Sequence, residues 1–252
     1  MPCFKGFKPK QIFKNIIPIN GQMINIEDLC LVINKNILVI SDIHIGYEEA
    51  LNKQGILIPR TQFKDIVKKL EKIIGKRKFR IIVINGDLKH EFGKISRQEW
   101  RQSLLLLDFL QRHCEKIVLI KGNHDTILGP IAKKKNLEVV ENFRIGNILL
   151  LHGDKEKEIM KNIKTIIIGH EHPAISIQEG IRAERYKCFL FGKYKKKNLI
   201  VMPSFNPVIE GADVRKEKLL SPYIRNIREF RAVAIAESGE AFDFGKIGEL
   251  NV

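Results

Sequence analysis

The hydrophobic positions of this chain follow two periods. Over residues 62–74 they recur at helical spacing, with Phe63, Ile66, Val67, Leu70, Ile73 and Ile74 on one face and Gly75 directly after, which predicts an amphipathic helix closed by a glycine C-cap. Ser96-Arg97-Gln98-Glu99 has the form of a capping box and predicts a second helix running to about Arg112. Elsewhere the apolar residues bunch into short continuous runs, the mark of buried strands. Residues 30–33 and 37–40 flank Asn34-Lys35-Asn36 as a hairpin, and residues 80–84 and 116–120 each follow a helix, so strand and helix alternate.

After about residue 140 the rhythm changes to strands with short connections. The pattern predicts 143–145 and 148–151 around Gly146-Asn147, then 165–168, then 187–191 and 199–202 around a Lys-rich turn. A last hairpin, 231–236 with 241–244, turns at Ser238-Gly239. The fold class implied is α/β, a four-layer sandwich of two stacked mixed β-sheets flanked by helices, with functional loops gathered where strands end. One domain over residues 1–252 accommodates these elements, and residues 1–20, basic and interrupted by Pro2, Pro9 and Pro18, read as an arm or edge segment.

Composition narrows the function classes without choosing among them. With 44% hydrophobic residues in 252, the chain can bury one sizeable core. No apolar run approaches the roughly 18 to 20 residues of a membrane span, and the Lys-rich start lacks the apolar core of a signal peptide, so the expectation is a cytoplasmic protein with no membrane partner. Cys3, Cys30, Cys114 and Cys188 form no C-x-x-C pair, which argues against a zinc knuckle or a disulfide framework and for reduced, structural thiols. The net charge of +15 suits a phosphate-rich partner, nucleic acid among them, although an Ile- and Lys-rich bias also follows from genome composition or a hot habitat. The densest basic runs, Lys133 to Lys135 and Lys193 to Lys197, read as solvated loops or helix ends, and oligomeric state stays open.

Chemistry enters where five apolar runs stop. ILVISDIHIG ends in Asp42 and His44, IIVINGD in Asp87, IVLIKGNHD in Asn123, His124 and Asp125, ILLLHGD in His152, and TIIIGHEH in His170 and His172. Singly, each residue has a bland account: Asp87 and Asp125 as turn or cap residues, Asn123 in a left-handed turn, His152 as a core histidine with both nitrogens paired. Together that account needs seven coincidences, whereas imidazoles, carboxylates and one amide form a donor set for Mn, Fe(II), Ni or Zn. The absence of thiolates from the set excludes a Cys-type structural zinc site. His113 and Glu171 keep the bland account.

Taken in order, SDIH, NGDL, KGNHD, LLHGD and IIGHEH resemble the motifs D-x-H, G-D, G-N-H-[DE], a lone His after a strand and G-H-x-H of the calcineurin-like metallophosphoesterases, over about residues 37–172. The resemblance implies two divalent metal ions, Mn first among the candidates. Asp42, His44 and His172 would hold one, Asn123, His152 and His170 the other, and Asp87 would bridge them, with a shared hydroxide as nucleophile. It also implies His124 as the general acid at the leaving oxygen. Asp125 either orients His124 or caps the following segment. GDLKHEF departs from the G-D-x-x-D-R of protein Ser/Thr phosphatases and lacks its phosphate-gripping Arg. With His90 in that place and SDIHIGYEE before it, the chain is similar to SbcD-type repair nucleases. YEEALNKQGILIPR and PSFNPVIEGADV look closer to archaeal relatives of the bacterial DNA-ligase-associated phosphoesterases, which extends the resemblance to about Asp213.

The function these resemblances imply is binuclear metal-dependent hydrolysis of phosphodiesters, nucleotide or nucleic-acid in type, with His124, Asp125 and His90 as the catalytic set. Two alternatives compete: a phosphomonoesterase of small phosphorylated metabolites, and a non-catalytic metal-binding scaffold of the same fold.

Overall fold

The two styles of sequence fold into two separate sheets in the computed structural model, which describes residues 11–13, 16–19, 21–93, 95–179 and 182–250. Strand β1 (Gln11–Ile12) joins the second sheet. The first sheet is built, in chain order and in space, from β2 (Ile16–Ile19), β3 (Gln22–Glu27), β4 (Cys30–Ile33), β5 (Ile37–Ile40), β6 (Phe79–Asn85), β7 (Cys114–Ile120) and β8 (Glu138–Val140). Strands β2 to β5 are antiparallel, and β5 to β8 run parallel, with Ile37 opposite Ile81 and Val83 opposite Val118.

Parallel neighbours need crossovers, and helices supply them. α1 (Tyr47–Lys53) and α2 (Gln62–Ile74) lead from β5 to β6, α3 (Arg97–Gln111) from β6 to β7, and α4 (Gly129–Lys135) from β7 to β8. Because right-handed crossovers between strands placed in chain order all pass the same way, these helices cover one face of the sheet. The opposite face is left for the second sheet. That sheet takes β9 (Phe143–Ile145), β10 (Ile148–Leu150), β11 (Thr165–Ile168), β12 (Pro173–Glu179), β13 (Arg182–Tyr194), β14 (Lys197–Val201), β15 (Ala212–Asp213), β16 (Arg231–Ile235) and β17 (Ala241–Lys246). Its main path is β1-β17-β16-β13-β14-β11-β10-β9, with β10, β11 and β14 parallel and the β12–β15 pair hung on the first half of β13.

Alternation along these strands decides which layer each side chain joins. Leu150, Ile167, Phe189, Ile200 and Val233 enter the apolar cluster shared with the first sheet and its helices. Their neighbours Leu149, Ile168, Leu190, Val201 and Ala234 enter a second cluster on the outer face. Each fully buried Ile or Leu contributes about 1.5–3 kcal/mol, so a one-residue slip would forfeit a whole row of them.

Beyond elements that the sequence pattern left unassigned, among them β3, α1, α4 and β8, the structure differs from expectation in three respects. Helices flank only the first sheet; the outer face of the second is covered by Ile163, Val214, Tyr223, Ile224 and Phe230 from irregular chain and two short 3-10 turns. Pro203, Pro207, Gly211 and Pro222 keep that covering chain from forming a helix. Strand β12 and the first half of β13 were not expected, because residues 182–187 carry four charges and are stabilised by pairing with β12 instead of by an apolar run. The Lys-rich turn shrinks to Lys195-Lys196, since Tyr194 already pairs with Lys197 at the amino end of β14, away from the strand ends that bear the functional loops.

Lys133 to Lys135 form the last turn of α4. Of the first twenty residues, the described pieces β1 and β2 are edge strands, one on each sheet; residues 1–10, and with them Cys3, lie outside the described residues. Cys30, Cys114 and Cys188 are free thiols. No described helix is long and apolar enough to cross a membrane.

Candidate metal centre

The candidate residues sit at the carboxyl ends of β5, β6, β7, β10 and β11, where both sheets present parallel strands to one edge. To aim several side chains at one point the chain must turn sharply as each strand ends. Asp42, His44, Asp87, His170 and His172 all adopt positive φ, five of the ten non-glycine residues that do so among the described residues. That conformation costs about 1 kcal/mol or more per residue. Hydrogen bonds to the displaced backbone offset it. Asp42 and His44 donate to the carbonyls of Gly86 and Asp87, zipping the first two loops together. Ser204 Oγ donates to the Asp42 carbonyl at 2.7 Å, Asn206 Nδ2 to those of Ile43 and His44, and Gln62 Nε2 to that of His44 at 2.8 Å.

Two glycines let the loops close. A Cβ on Gly86 would lie 2.1 Å from His152 Nδ1, and one on Gly122 would lie 2.1 Å from Asp87 Oδ1. The Gly-Asp and Gly-Asn-His spacings are therefore a demand of packing, since nothing larger than hydrogen fits at either place.

Two donor clusters converge. His44 Nε2 lies 3.2 Å from His172 Nε2, which lies 3.4 Å from Asp42 Oδ1. His152 Nε2 lies 2.8 Å from Asn123 Oδ1 and 3.2 Å from His170 Nδ1. Asp87 Oδ2 reaches both, at 3.5 Å from His44 Nε2 and 3.3 Å from His152 Nε2. Asp42–His44–His172 and Asp87–His152–His170 are each close enough to hold a metal ion, and so is a third group, His44–His90–His124.

The donor set fits divalent cations on physical grounds. Neighbouring imidazole nitrogens and carboxylate oxygens point lone pairs at one another, an arrangement that needs shared positive charge. Burial opposes a charge on His152, but the Asp87 and Asp42 carboxylates outweigh it and raise the ring to about 9. Burial also opposes ionisation of Asp42, and the His172 and His152 rings outweigh it and lower the carboxyl. His44 is held well below the usual histidine range by burial and by His172. These opposed shifts mark the middle of the cluster as the place that draws positive charge, where a cation would compete with a proton for the same lone pairs. His152 Nδ1 is buried without a hydrogen-bond partner.

Around His124 the structure adds residues that no motif disclosed. Its Nδ1 contacts the His90 carbonyl and its backbone N–H donates to Asp87 Oδ1 at 2.9 Å, which ties it to the carboxylate that reaches both clusters. Lys89 is fully buried, and its ammonium donates to the carbonyls of His124 and Glu91. Glu99 does more than complete a capping box. While its own N–H bonds the Ser96 hydroxyl, its Oε1 accepts from the backbone of His90 and Glu91. His90 faces His44 through Nδ1 at 3.4 Å, and burial with the nearby His124 pushes it down to about 4.

Of the two roles expected for Asp125, capping the following segment is not seen, and any hold on His124 acts through the loop backbone. Its carboxylate accepts from the backbone N–H groups of Leu88, Lys89 and Gly122, and α4 begins after Leu128 without a side-chain cap. It staples two loops, and burial with the nearby Asp87 charge pushes it up to about 6. Glu171, given no functional role from sequence, accepts from Leu220 and Ser221 and holds that segment beside the site.

A pocket of about 490 Å³ opens over the cluster, lined among others by Tyr47, His124, His170, His172, Arg185 and Leu220. Arg185 comes from β13, far from any motif, and is held by the Gly211 carbonyl at 2.7 Å and Glu217 at 3.2 Å. Its only sequence signal was membership of a charged, alternating stretch.

Residues 35–209 match the family model described as calcineurin-like phosphoesterase. Among solved structures, the chain is similar in fold to the nuclease MPE of Pseudomonas putida, with a TM-score of 0.62 and 18% identity over 90% of this chain and 98% of that one. Yfce, a phosphoesterase from E. coli, aligns at a TM-score of 0.38 and 13% identity over 80% of this chain and 88% of its own. No curated protein matches the sequence.

Proposed function

The chain belongs to the calcineurin-like phosphoesterases, and from that premise we propose that it is a binuclear metal-dependent phosphodiesterase acting on nucleotide or nucleic-acid diesters in the cytoplasm. The observation that carries the binuclear reading is the reach of Asp87 Oδ2 to both histidine clusters. Asp42, His44 and His172 would hold one cation, Asn123, His152 and His170 the other, with Asp87 between them; Mn suits the donors, as do Fe, Ni or Zn. Two cations so held would neutralise phosphate charge and activate water at neutral pH.

The protein's own groups then do the rest. With Nδ1–H of His124 donating to the His90 carbonyl, Nε2 is the nitrogen that, in the imidazolium form, gives a proton to the leaving oxygen. Lys89, Glu99 and Asp125 hold the two loops that set its position. His90 stacks near it, with ring centroids 5.1 Å apart, and keeps the imidazole from swinging.

Diesters are favoured over monoesters by the pocket's charge. Its one guanidinium among the lining residues, Arg185, is already offset by Glu217, and Glu210 stands nearby, so a monoanion is accommodated better than a dianion. The test is turnover of bis-p-nitrophenyl phosphate against p-nitrophenyl phosphate with added Mn, alongside metal content. Diester preference with two ions per chain and reversible loss in chelator is expected. Preference for the monoester would select the metabolite phosphatase, and inactivity of protein holding two ions would select the scaffold.

A further inference from the structure

Beside the proposed acid stands an aromatic ring that the chemistry above does not use. Phe92 is 56% exposed, yet its ring centroid lies 3.8 Å from that of His124 with the planes tilted by 35°. One side of the phenyl ring is therefore against the imidazole of His124, which lines the pocket, while more than half of the residue stays exposed at the rim beside it. A lone surface Phe is ordinary. This one is fixed on both flanks: the Glu91 N–H is held by Glu99, the Glu91 carbonyl by Lys89, and the Gly93 N–H donates to Thr126 Oγ1 at 3.2 Å. Tyr47, which lines the pocket, packs against His90 with ring centroids 4.8 Å apart and the planes near perpendicular.

We infer that Phe92 is a stacking platform for the nucleobase on the leaving side of the scissile phosphate. The inference rests on the phosphodiesterase reading and deepens it. A leaving oxygen within reach of His124 Nε2 puts the rest of the leaving nucleoside next to the ring that covers His124. The loop's anchors mean little conformational freedom is lost when a base stacks there. Any base offers a π-face, so the platform selects for the presence of a base and not for its identity. It makes the enzyme favour nucleoside leaving groups over alkyl or sugar ones.

The test compares a thymidine dinucleotide with its two counterparts carrying an abasic sugar on one side or the other, with Mn, in the unmodified protein and in Phe92→Ala and Phe92→Trp. The reading is the ratio of kcat/KM for base over abasic substrate, in which any general loss through His124 cancels. A preference for the base on one side is expected in the unmodified protein, falling about 5- to 100-fold in Phe92→Ala and kept in Phe92→Trp. In Phe92→Trp, the fluorescence in excess of that from Trp100 should be quenched by the dinucleotide and not by the abasic form lacking the stacked base.

A ratio unchanged in Phe92→Ala, with both rates falling together, would show that Phe92 only packs His124 and would overturn the platform. If bis-p-nitrophenyl phosphate is cleaved but the base makes no difference in the unmodified protein, the platform alone is wrong. If no diester is cleaved, the phosphodiesterase reading falls first and the platform with it.

Discussion

The buried ammonium of Lys89 donates a hydrogen bond of 2.6 Å to the backbone carbonyl of His124, thirty-five positions away in the chain. Removing one partner of a buried hydrogen bond leaves the other unsatisfied at about 1–3 kcal/mol, and a displaced proton donor slows chemistry further. Lys89→Met should therefore lower the melting temperature by several degrees and reduce kcat by on the order of 10-fold or more, with metal content retained. Equal kcat per folded molecule would leave Lys89 a purely structural residue.

Neighbouring residues of the site should separate cleanly. Asp87→Asn is expected to lose bound metal and activity together, because its Oδ2 reaches both clusters. His124→Ala should keep both ions and lose about 10²- to 10⁴-fold in turnover. Metal analysis of the two purified variants decides it: ions lost from His124→Ala but retained by Asp87→Asn would reverse the roles.

Arg185 should act on binding more than on rate. Its guanidinium sits in the pocket wall between Glu217 and the Gly211 carbonyl, where it can meet a phosphate without touching the donor clusters. In Arg185→Ala the expectation is a KM raised about 5- to 10-fold for anionic diesters, with kcat changed far less. A fall in kcat at constant KM would contradict this.

Stability should carry a signature of Lys187, whose ammonium lies under the site loop against the carbonyls of Ser204 and Asn206. Burial lowers it to about 7, so between that pH and its unfolded value the unfolded chain binds a proton that the folded one does not. Stability from this residue must then rise with pH through that window. Denaturation of the metal-free protein at pH 6.5 and pH 9 should show the unmodified chain gaining on Lys187→Met by on the order of 1–2 kcal/mol. A flat difference would refute the buried, titrating lysine.

How much of this was legible beforehand depends on the range of the interaction concerned. Helix α2 matched its expected span and Gly75 follows it, because amphipathic spacing and a glycine C-cap act over a few residues. Strands β5, β6, β7, β10 and β11 were visible for the same reason, as runs that must be buried whatever covers them. Residues 182–187 gave no such signal, since their strand exists only because β12 lies alongside. Asp125 is instructive: a carboxylate next to a histidine in sequence suggested a direct pairing or a cap, whereas its oxygens accept from the backbone of Leu88, Lys89 and Gly122 and hold the loops around His124.

By itself the sequence determined helices α2 and α3, the strands that show as apolar runs, and the set of donors placed where those strands end. Those follow from local sterics and from burial patterns repeated every two or 3.6 residues. Only the tertiary structure decided that His152 and His170 of the second sheet face Asp42 and Asp87 of the first. It also decided that Lys89 is sealed beneath His124, that Glu99 reaches back to the His90 loop, and that Phe92 stands exposed beside His124. The burial and partners of a single polar or aromatic side chain depend on segments packed over it from far along the chain, and no local period encodes them.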